Sequence, residues 1–271
     1  MTEDFSIRDV WAHNLEQEMA IISDLLDDYP YVAMDTEFPG VIAKPIGQFS
    51  SQESFNYHLM RCNVDFLKII QIGITLGDGR GNFPTPCCTW QFNFKFNLEE
   101  DMNTTSAIDL LQQSGIDFSR FNSDGINVFD FSQLLYTSGL VMNDDIFYIT
   151  FHSSSDFGYL IKMLTCKPLP REESEFFKLL NVMFPHYYDL KLMADDNDQI
   201  SCGGLQALAN ELNVMRVGPQ HQAGSDALVT LKTFTALMDT YFDGKSRNKK
   251  FENILYGLDY QKQLDVLSEF R

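Results

Sequence analysis

Apolar residues recur at three- and four-residue steps through Trp11, Leu15, Met19, Ile22 and Leu26, which predicts an amphipathic helix over residues 7–27. A short β-prone run from Tyr31 to Glu37 follows and is stopped by Pro39 and Gly40. Phe66 to Leu76 predicts a buried strand, closed by the glycine-rich turn Gly77–Gly81. From Thr89 to Asn97 the alternation is unbroken. Trp90, Phe92, Phe94 and Phe96 face one way and Gln91, Asn93, Lys95 and Asn97 the other, the pattern of a half-buried strand whose aromatic stripe is core. Helices are predicted over 104–114 and 129–138, with Gly115 and Gly139 placed for left-handed caps. Next come a strand over 146–151, a helix from Asp156 onward, a helix over 172–184 stopped by Pro185, and a short strand over 187–190. Helices over 204–212 and 225–242 follow, and the tail from Tyr260 to Arg271 has weak helical spacing through Leu264, Leu267 and Phe270. Early strands followed by interleaved helices and strands, without an internal repeat, predict one α/β domain with a mixed sheet.

Composition narrows what such a domain does. The chain has 271 residues, of which 23 are Phe and 11 Tyr, too many for a chain that never packs. With 38 acidic and 20 basic residues its formal net charge is −18. That excludes a protein that coats nucleic acid electrostatically, but not an enzyme that takes one strand end into a local pocket. Cys62, Cys87, Cys88, Cys166 and Cys202 are odd in number and form no C-x-x-C pair, so reduced thiols in an intracellular protein are expected. The N-terminus lacks the basic and apolar regions of a secretory signal, and no apolar run has membrane-spanning length; a soluble protein is the expectation.

Against this background the placement of acidic residues matters. Asp35 and Glu37 are two apart on a predicted strand, so both leave the same face beside the buried Val32, Ala33 and Met34. Paired carboxylates next to a core repel one another and resist burial, and a divalent cation between them removes both penalties; an ordinary strand end at the surface is the competing reading. Asp156 opens a helix, where Asp is also a routine cap. Asp226 lies in the first turn of the helix over 225–242, where it suits the dipole, and His221 stands five residues before it in a loop. Each alone has a structural reading. Together they form a sequence of D-x-E on a strand, Asp at a helix start, then H-x-x-x-x-D at another.

These three segments resemble the exonuclease motifs of the DEDDh superfamily, the ribonuclease D-like nucleases on a ribonuclease H-like fold. At closer range, Tyr31-Val-Ala-Met-Asp-Thr-Glu-Phe-Pro-Gly-Val41, Arg61-Cys-Asn-Val-Asp65, Thr89-Trp-Gln-Phe-Asn-Phe-Lys-Phe-Asn97 and Val217-Gly-Pro-Gln-His-Gln-Ala-Gly-Ser-Asp226 resemble the Caf/Pop-type deadenylases, catalytic subunits of the Ccr–Not complex. The resemblance spans Trp11 to Leu258. It implies an exonuclease domain over residues 1–258, on a ribonuclease H-like mixed sheet flanked by helices, with residues 259–271 as a tail outside it. It also implies that Asp35, Glu37, Asp156 and Asp226 hold two metal ions and that His221 is the general base. The family usually carries Gly-Tyr before the second-motif Asp, whereas this chain has Ser154-Ser155-Asp156, which puts any substrate contact of that ring in question.

Four carboxylates without a cysteine ligand select hard ions, so Mg²⁺ or Mn²⁺ is expected. The implied reaction shortens single-stranded RNA from a 3′ poly(A) tail and releases 5′-AMP. Poly(A) preference rests on the resemblance alone, as do docking on a Not-type scaffold, pairing with a leucine-rich-repeat deadenylase, and work in the cytoplasm and nucleus. The charge of −18 predicts weak intrinsic RNA affinity and a reliance on partners. Competing readings are a DEDDh nuclease with broader single-strand taste and a scaffold with a vestigial site; the presence of all five residues speaks against the scaffold. Asp195-Asp-Asn-Asp198 lacks the glycine of a calcium loop and is expected to be a solvated turn. Lys245, Arg247, Lys249 and Lys250 are expected on a solvated loop, His152 as a structural or supporting histidine, and Gly77–Gly81 as a plain turn without a phosphate-binding lysine.

Overall fold

Tyr31–Glu37 forms the strand (β2) around which the computed structural model of the chain is organised, and residues 6–197, 200, 203–242, 244 and 248–270 are described. A six-stranded sheet is built from β1 (Ile7–Val10), β2, β3 (Gln71–Gly77), β4 (Thr89–Asn93), β5 (Phe147–Thr150) and β6 (Tyr187–Asp189), in the spatial order β1-β4-β3-β2-β5-β6. β2 pairs antiparallel with β3 and parallel with β5; β3–β4 is antiparallel, while β1–β4 and β5–β6 are parallel. The sheet is mixed and flanked by helices, as the sequence pattern predicts.

Strand alternation sorts the residues of β2 onto two cores. Val32 and Met34 join Ile72, Ile74, Trp90 and Phe92 beneath α1 (Leu15–Leu25), α5 (Val128–Thr137) and α6 (Ser154–Thr165). Tyr31 and Ala33 join Phe147, Ile149 and Tyr188 beneath α10 (Ala223–Tyr241), which contributes Leu231, Phe234 and Leu237. Helices α3 (Thr105–Gln113), α4 (Phe121–Asp124), α7 (Glu173–Met183), α8 (Leu190–Asp195) and α9 (Leu205–Glu211) surround these layers. Helices α3 and α4, with the segments that follow β1 and β4, pack a third cluster of Trp11, Phe96, Ile108, Phe118 and Phe121. The tail becomes α11 (Tyr260–Phe270), which buries Val266 and Leu267 and ties Lys262 to Glu173 of α7 at 2.9 Å.

Several elements differ from expectation. The helix expected over 7–27 starts only at Leu15; Ile7–Val10 pairs in register with Thr89–Phe92, because the open edge of β4 offers hydrogen bonds that no local preference anticipates. The strand expected over 66–76 begins at Gln71, since Phe66 ends an unanticipated helix, α2 (Gln52–Phe66). The Thr89–Asn97 strand stops at Asn93, and Gln91 and Asn93 are buried along with the aromatic stripe. The sheet is covered on both faces there, so the strand is not half-buried. Helices α4 and α8 are short additions. Cys62, Cys87, Cys88 and Cys166 are free thiols, while Cys202 lies outside the described residues. Among the described residues, no helix is long and apolar enough to cross a membrane.

Candidate active site

β2 and β5 run parallel, and a crevice opens beyond their carboxyl ends, the place where parallel strands of an α/β sheet usually present a ligand. Asp35 and Glu37 close β2 on the α10 side of the sheet. Directly beside them on the same rungs lie Gly73 and Gln71 of β3, then Gln91 and Asn93 of β4. These small and amide residues make a bed for the N-terminus of α10. A Cβ at Gly73 would collide with the Ala223 carbonyl, so glycine here permits the helix to approach. The first N–H groups of α10 lack partners within the helix. Ala223 donates to Gln71 Oε1 at 3.3 Å and Gly224 to Gln91 Oε1 at 3.0 Å. Asp9 of β1 orients the amides in turn, accepting from Gln91 and Asn93 at 3.1 Å each.

The helix seated this way carries Asp226 onto the carboxylates of β2. Glu37, His221 and Asp226 each present a ligand atom, all within 4.8 Å of one another. His221 takes a left-handed backbone conformation (φ 61°) and is exposed at the rim. Its N–H donates to Asp226 Oδ2 at 2.8 Å, and its carbonyl accepts from Ser114 Oγ at 2.8 Å, so the loop before α10 is tied to both the site and the end of α3.

Asp156 arrives from the opposite layer, in the first turn of α6, and is buried. Its Oδ1 accepts from the hydroxyl of Thr36 at 2.7 Å, so the residue between Asp35 and Glu37, pointing to the opposite face of β2, ties the two layers together. The turn that launches α6 is held by the buried Asp189, which accepts from the N–H groups of His152 (2.7 Å), Lys191 (3.0 Å) and Tyr256 (3.1 Å). His152 thus meets the site through its backbone, as a structural residue.

The cluster is electrostatically unhappy without a cation. Burial holds the Asp35 carboxyl well above the usual carboxylate range, and the charges of Asp226, Asp156 and Glu37 add to it, with Arg216 opposing. Glu37 is raised by burial and then by Asp226 and Asp156. Asp156 is pushed up to about 6 by burial, against the pull of the Thr36 hydrogen bond. Buried carboxylates crowded in this way, all of them oxygen donors, fit hard divalent ions such as Mg²⁺ or Mn²⁺.

Of the five sequence-singled residues, Glu37, His221 and Asp226 come together within 4.8 Å, while Asp35 and Asp156 lie outside that group and are tied to it by mutual charge repulsion. Arg216, Thr36 and Gly73 were not singled out. Arg216 forms a largely buried ion pair with Asp226 Oδ1 at 2.7 Å and donates to Ser225 Oγ at 3.0 Å. The clue was an arginine amid Val214, Met215 and Val217, since a guanidinium in an apolar run needs a carboxylate partner once buried. Thr36 was legible as a hydroxyl on the buried face of Met34, and Gly73 as a lone glycine inside an apolar strand. Of the features set aside, Asp78 accepts from the N–H groups of Arg80 and Asn82 as in a plain turn. Lys250 pairs with Asp196, while Asp198, Lys245 and Arg247 lie outside the described residues.

Known proteins are similar to this chain in sequence and fold. The sequence profile of the CAF1 family ribonucleases matches residues 10–133 and 140–234. The poly(A) ribonuclease pop2 of Schizosaccharomyces pombe is 51% identical over 252 residues, covering 93% of this chain and 75% of that one. Probable CCR4-associated factor 1 homolog 7 of Arabidopsis thaliana is 46% identical over 262 residues, 94% of each. The solved structure of S. pombe Pop2p in its Mg²⁺- and Mn²⁺-bound form aligns with a TM-score of 0.90 at 51% identity, over 93% of this chain and 99% of that one. Yeast CAF1, co-crystallised with the NOT1 MIF4G domain, aligns with a TM-score of 0.77 at 33% identity, over 93% and 96%. Exonuclease I of E. coli, at 12% identity and a TM-score of 0.52 over 79% of this chain and 41% of that one, shares the fold alone. With its sequence matched by the profile along most of its length and its relatives so similar, the chain belongs to the CAF1 family of ribonucleases.

Proposed function

We propose that the protein is a divalent-metal-dependent 3′→5′ exoribonuclease that shortens mRNA poly(A) tails and releases 5′-AMP, as a catalytic subunit of a Ccr–Not deadenylase complex. The observation that carries the reading is the group of Glu37, Asp226 and His221, which offer ligand atoms within 4.8 Å of one another, with the charges of Asp226 and Asp156 acting on both Asp35 and Glu37. The Mg²⁺ and Mn²⁺ held by S. pombe Pop2p support the same ions here, and its name as a poly(A) ribonuclease supports the substrate. The yeast CAF1–NOT1 pairing supports a Not-type scaffold as partner. A leucine-rich-repeat deadenylase completes the proposed assembly.

Asp35, Glu37, Asp156 and Asp226 would hold the ions. When bound, these supply positive charge that activates water and steadies the departing 3′ oxygen in an in-line phosphodiester displacement. The protein's own groups do the rest. Thr36 fixes the rotamer of Asp156, and the His221 N–H fixes that of Asp226. His221, exposed at the rim beside Glu37 and Asp226, accepts the proton of the attacking water at a ring nitrogen. The test is direct: purified protein is incubated with A-tailed RNA and Mg²⁺ or Mn²⁺. A ladder of shortened tails that stops on adding EDTA is expected, and absence of shortening with either ion overturns the reading.

A further inference from the structure

The first strand reaches the carboxylate cluster without touching it. β1 lies three places from β2, about 14 Å across the sheet. Register nevertheless puts Asp9, Gln91, Gly73 and Asp35 on one rung, and Asn93, Gln71 and Glu37 on the next rung of the same face. Asp9 thus stands at the outer end of the rung that ends at Asp35. A carboxylate on an edge strand is ordinarily a guard against pairing with other chains. This one is turned inward, and its Oδ1 takes the amides of both Gln91 and Asn93 at 3.1 Å each.

Direction is what Asp9 supplies. An ionised carboxylate only accepts hydrogen bonds, whereas a primary amide can present either its oxygen or its NH₂ group. With Nε2 committed to Asp9, Gln91 turns Oε1 to the other side, where it accepts from the Gly224 N–H at 3.0 Å. The second branch is one amide longer. Asn93 gives Nδ2 to Asp9 and takes Gln71 Nε2 on Oδ1 at 2.8 Å, which leaves Gln71 Oε1 for the Ala223 N–H at 3.3 Å. Reversing either branch would set NH₂ against N–H, and Gln71, Gln91 and Asn93 are all buried, so water could not repair the clash.

The two branches depend on Asp9 unequally. Asn93 Nδ2 also donates to the carbonyls of Val10 at 3.3 Å and Gln91 at 3.2 Å, which hold its orientation in part. Among the described residues, Asp9 is the one partner of Gln91 Nε2. The Gly224 branch is therefore the one that Asp9 controls, and Gly224 stands two residues before Asp226 in the first turn of α10. β1 holds that turn sterically as well, since a Cβ at Gly224 would collide with the Ile7 side chain.

We propose that Asp9 is a positioning residue for catalysis. By fixing the sense of the buried amides it seats the first turn of α10, and so sets where Asp226 meets Glu37 and His221. The catalytic part rests on the nuclease reading. Two measurements on the full chain in Mg²⁺ test the proposal: hydrogen exchange of individual backbone amides by NMR, and steady-state kinetics on A-tailed RNA. Asp9→Ala should speed exchange at Gly224 about 5-fold, the factor for one lost hydrogen bond, and at Ala223 less. The amides of β3 and β4 should stay as protected as in the wild type. Its kcat should fall about 10-fold, less than the roughly 10²-fold that a 1 Å misplacement costs, while KM moves little because Asp9 touches no substrate. Asp9→Asn keeps an oxygen for both amides and lacks the charge, so it should restore exchange and kcat. An asparagine variant as impaired as the alanine one would make the charge responsible and overturn the proposal. Wild-type kcat in Asp9→Ala overturns it too, as does a loss of protection spread across β3 and β4, which would make Asp9 a prop of the sheet. A wild type that shortens no tail overturns the nuclease reading instead, and exchange at Gly224 then decides whether Asp9 seats α10.

Discussion

Arg216 Nη1 lies 2.7 Å from Asp226 Oδ1, while the other oxygen of that carboxylate takes the His221 N–H at 2.8 Å. In a cluster of mutually repelling acids, Arg216 is the internal counter-ion. Its guanidinium is also anchored on Ser225 and on Gln206, so it cannot swing away cheaply.

Arg216→Gln should therefore destabilise the metal-free protein. Breaking a buried pair by removing one partner costs about 3–5 kcal/mol, because the remaining charge is left uncompensated. A divalent ion at Asp226 supplies the missing positive charge, so Mn²⁺ should recover more stability in the variant than in the wild type. Thermal unfolding in EDTA and in Mn²⁺ measures both. Equal midpoints for the two proteins in EDTA would show that Arg216 is not the counter-ion.

How far the fold was legible depends on where each decision was made. The parity of Asp35 and Glu37 on β2 is a local property, and so are the helix starts at Asp156 and Asp226; the acidic site could be assembled from them. The edge strand Ile7–Val10 was not local. Its apolar positions fit a helix equally well, and only pairing with β4 decides. Helix α2 had a signal that was passed over. Ser51 caps it by accepting from the Ser54 N–H, and Tyr57, Met60 and Val64 are buried at three- and four-residue steps. Buried Asn63 blurs that stripe, since it serves the N–H groups of Ile42 and Ala43. The polar face of β4 misled for a related reason. Gln91 looked solvent-facing because its partner, the Gly224 N–H, lies 133 residues away.

Gly73 gives the sharpest test of that long-range fit. It sits opposite Asp35 and makes room for the backbone at Ala223, three residues before Asp226. Gly73→Ala forces α10 off the sheet and draws Asp226 away from Glu37. The variant should lose at least tenfold in kcat, since small misplacements of reacting groups cost about 10²-fold, and should unfold at lower urea. Near-normal kcat would mean that the seat of α10 is softer than its contacts imply.

The carboxylates predict a pH dependence of definite sign. Asp156 titrates at about 6 in the folded, metal-free protein, against about 3.9 in an unfolded chain. The folded state therefore holds this proton more tightly. That contribution is full below pH 4 and is lost as pH rises through 6, by about 3 kcal/mol at 1.36 kcal/mol per unit. Asp156→Asn keeps an oxygen for Thr36 and cannot ionise. In EDTA it should match the wild type near pH 4 and exceed it in stability by up to about 3 kcal/mol at pH 7, while losing activity. A constant difference across that range in urea titrations would remove Asp156 from the strained cluster.

His221 separates proton transfer from metal binding. Its ring is exposed at the rim, whereas the acids lie deeper and carry the burial that a cation relieves. Replacing it leaves the four carboxylates intact, and the backbone N–H that orients Asp226 is present in any residue at 221. The left-handed backbone there is the complication, because alanine adopts φ near 61° less readily than glycine or asparagine. His221→Asn therefore tests the ring with less backbone strain, and His221→Ala tests it with more. Both should lower kcat by about 10²–10⁴-fold, the range for loss of a general base, and both should bind Mn²⁺ near the wild-type affinity by calorimetry. A loss of Mn²⁺ binding in the asparagine variant would make His221 a metal ligand rather than a base. Wild-type kcat in that variant would leave the proton to another group.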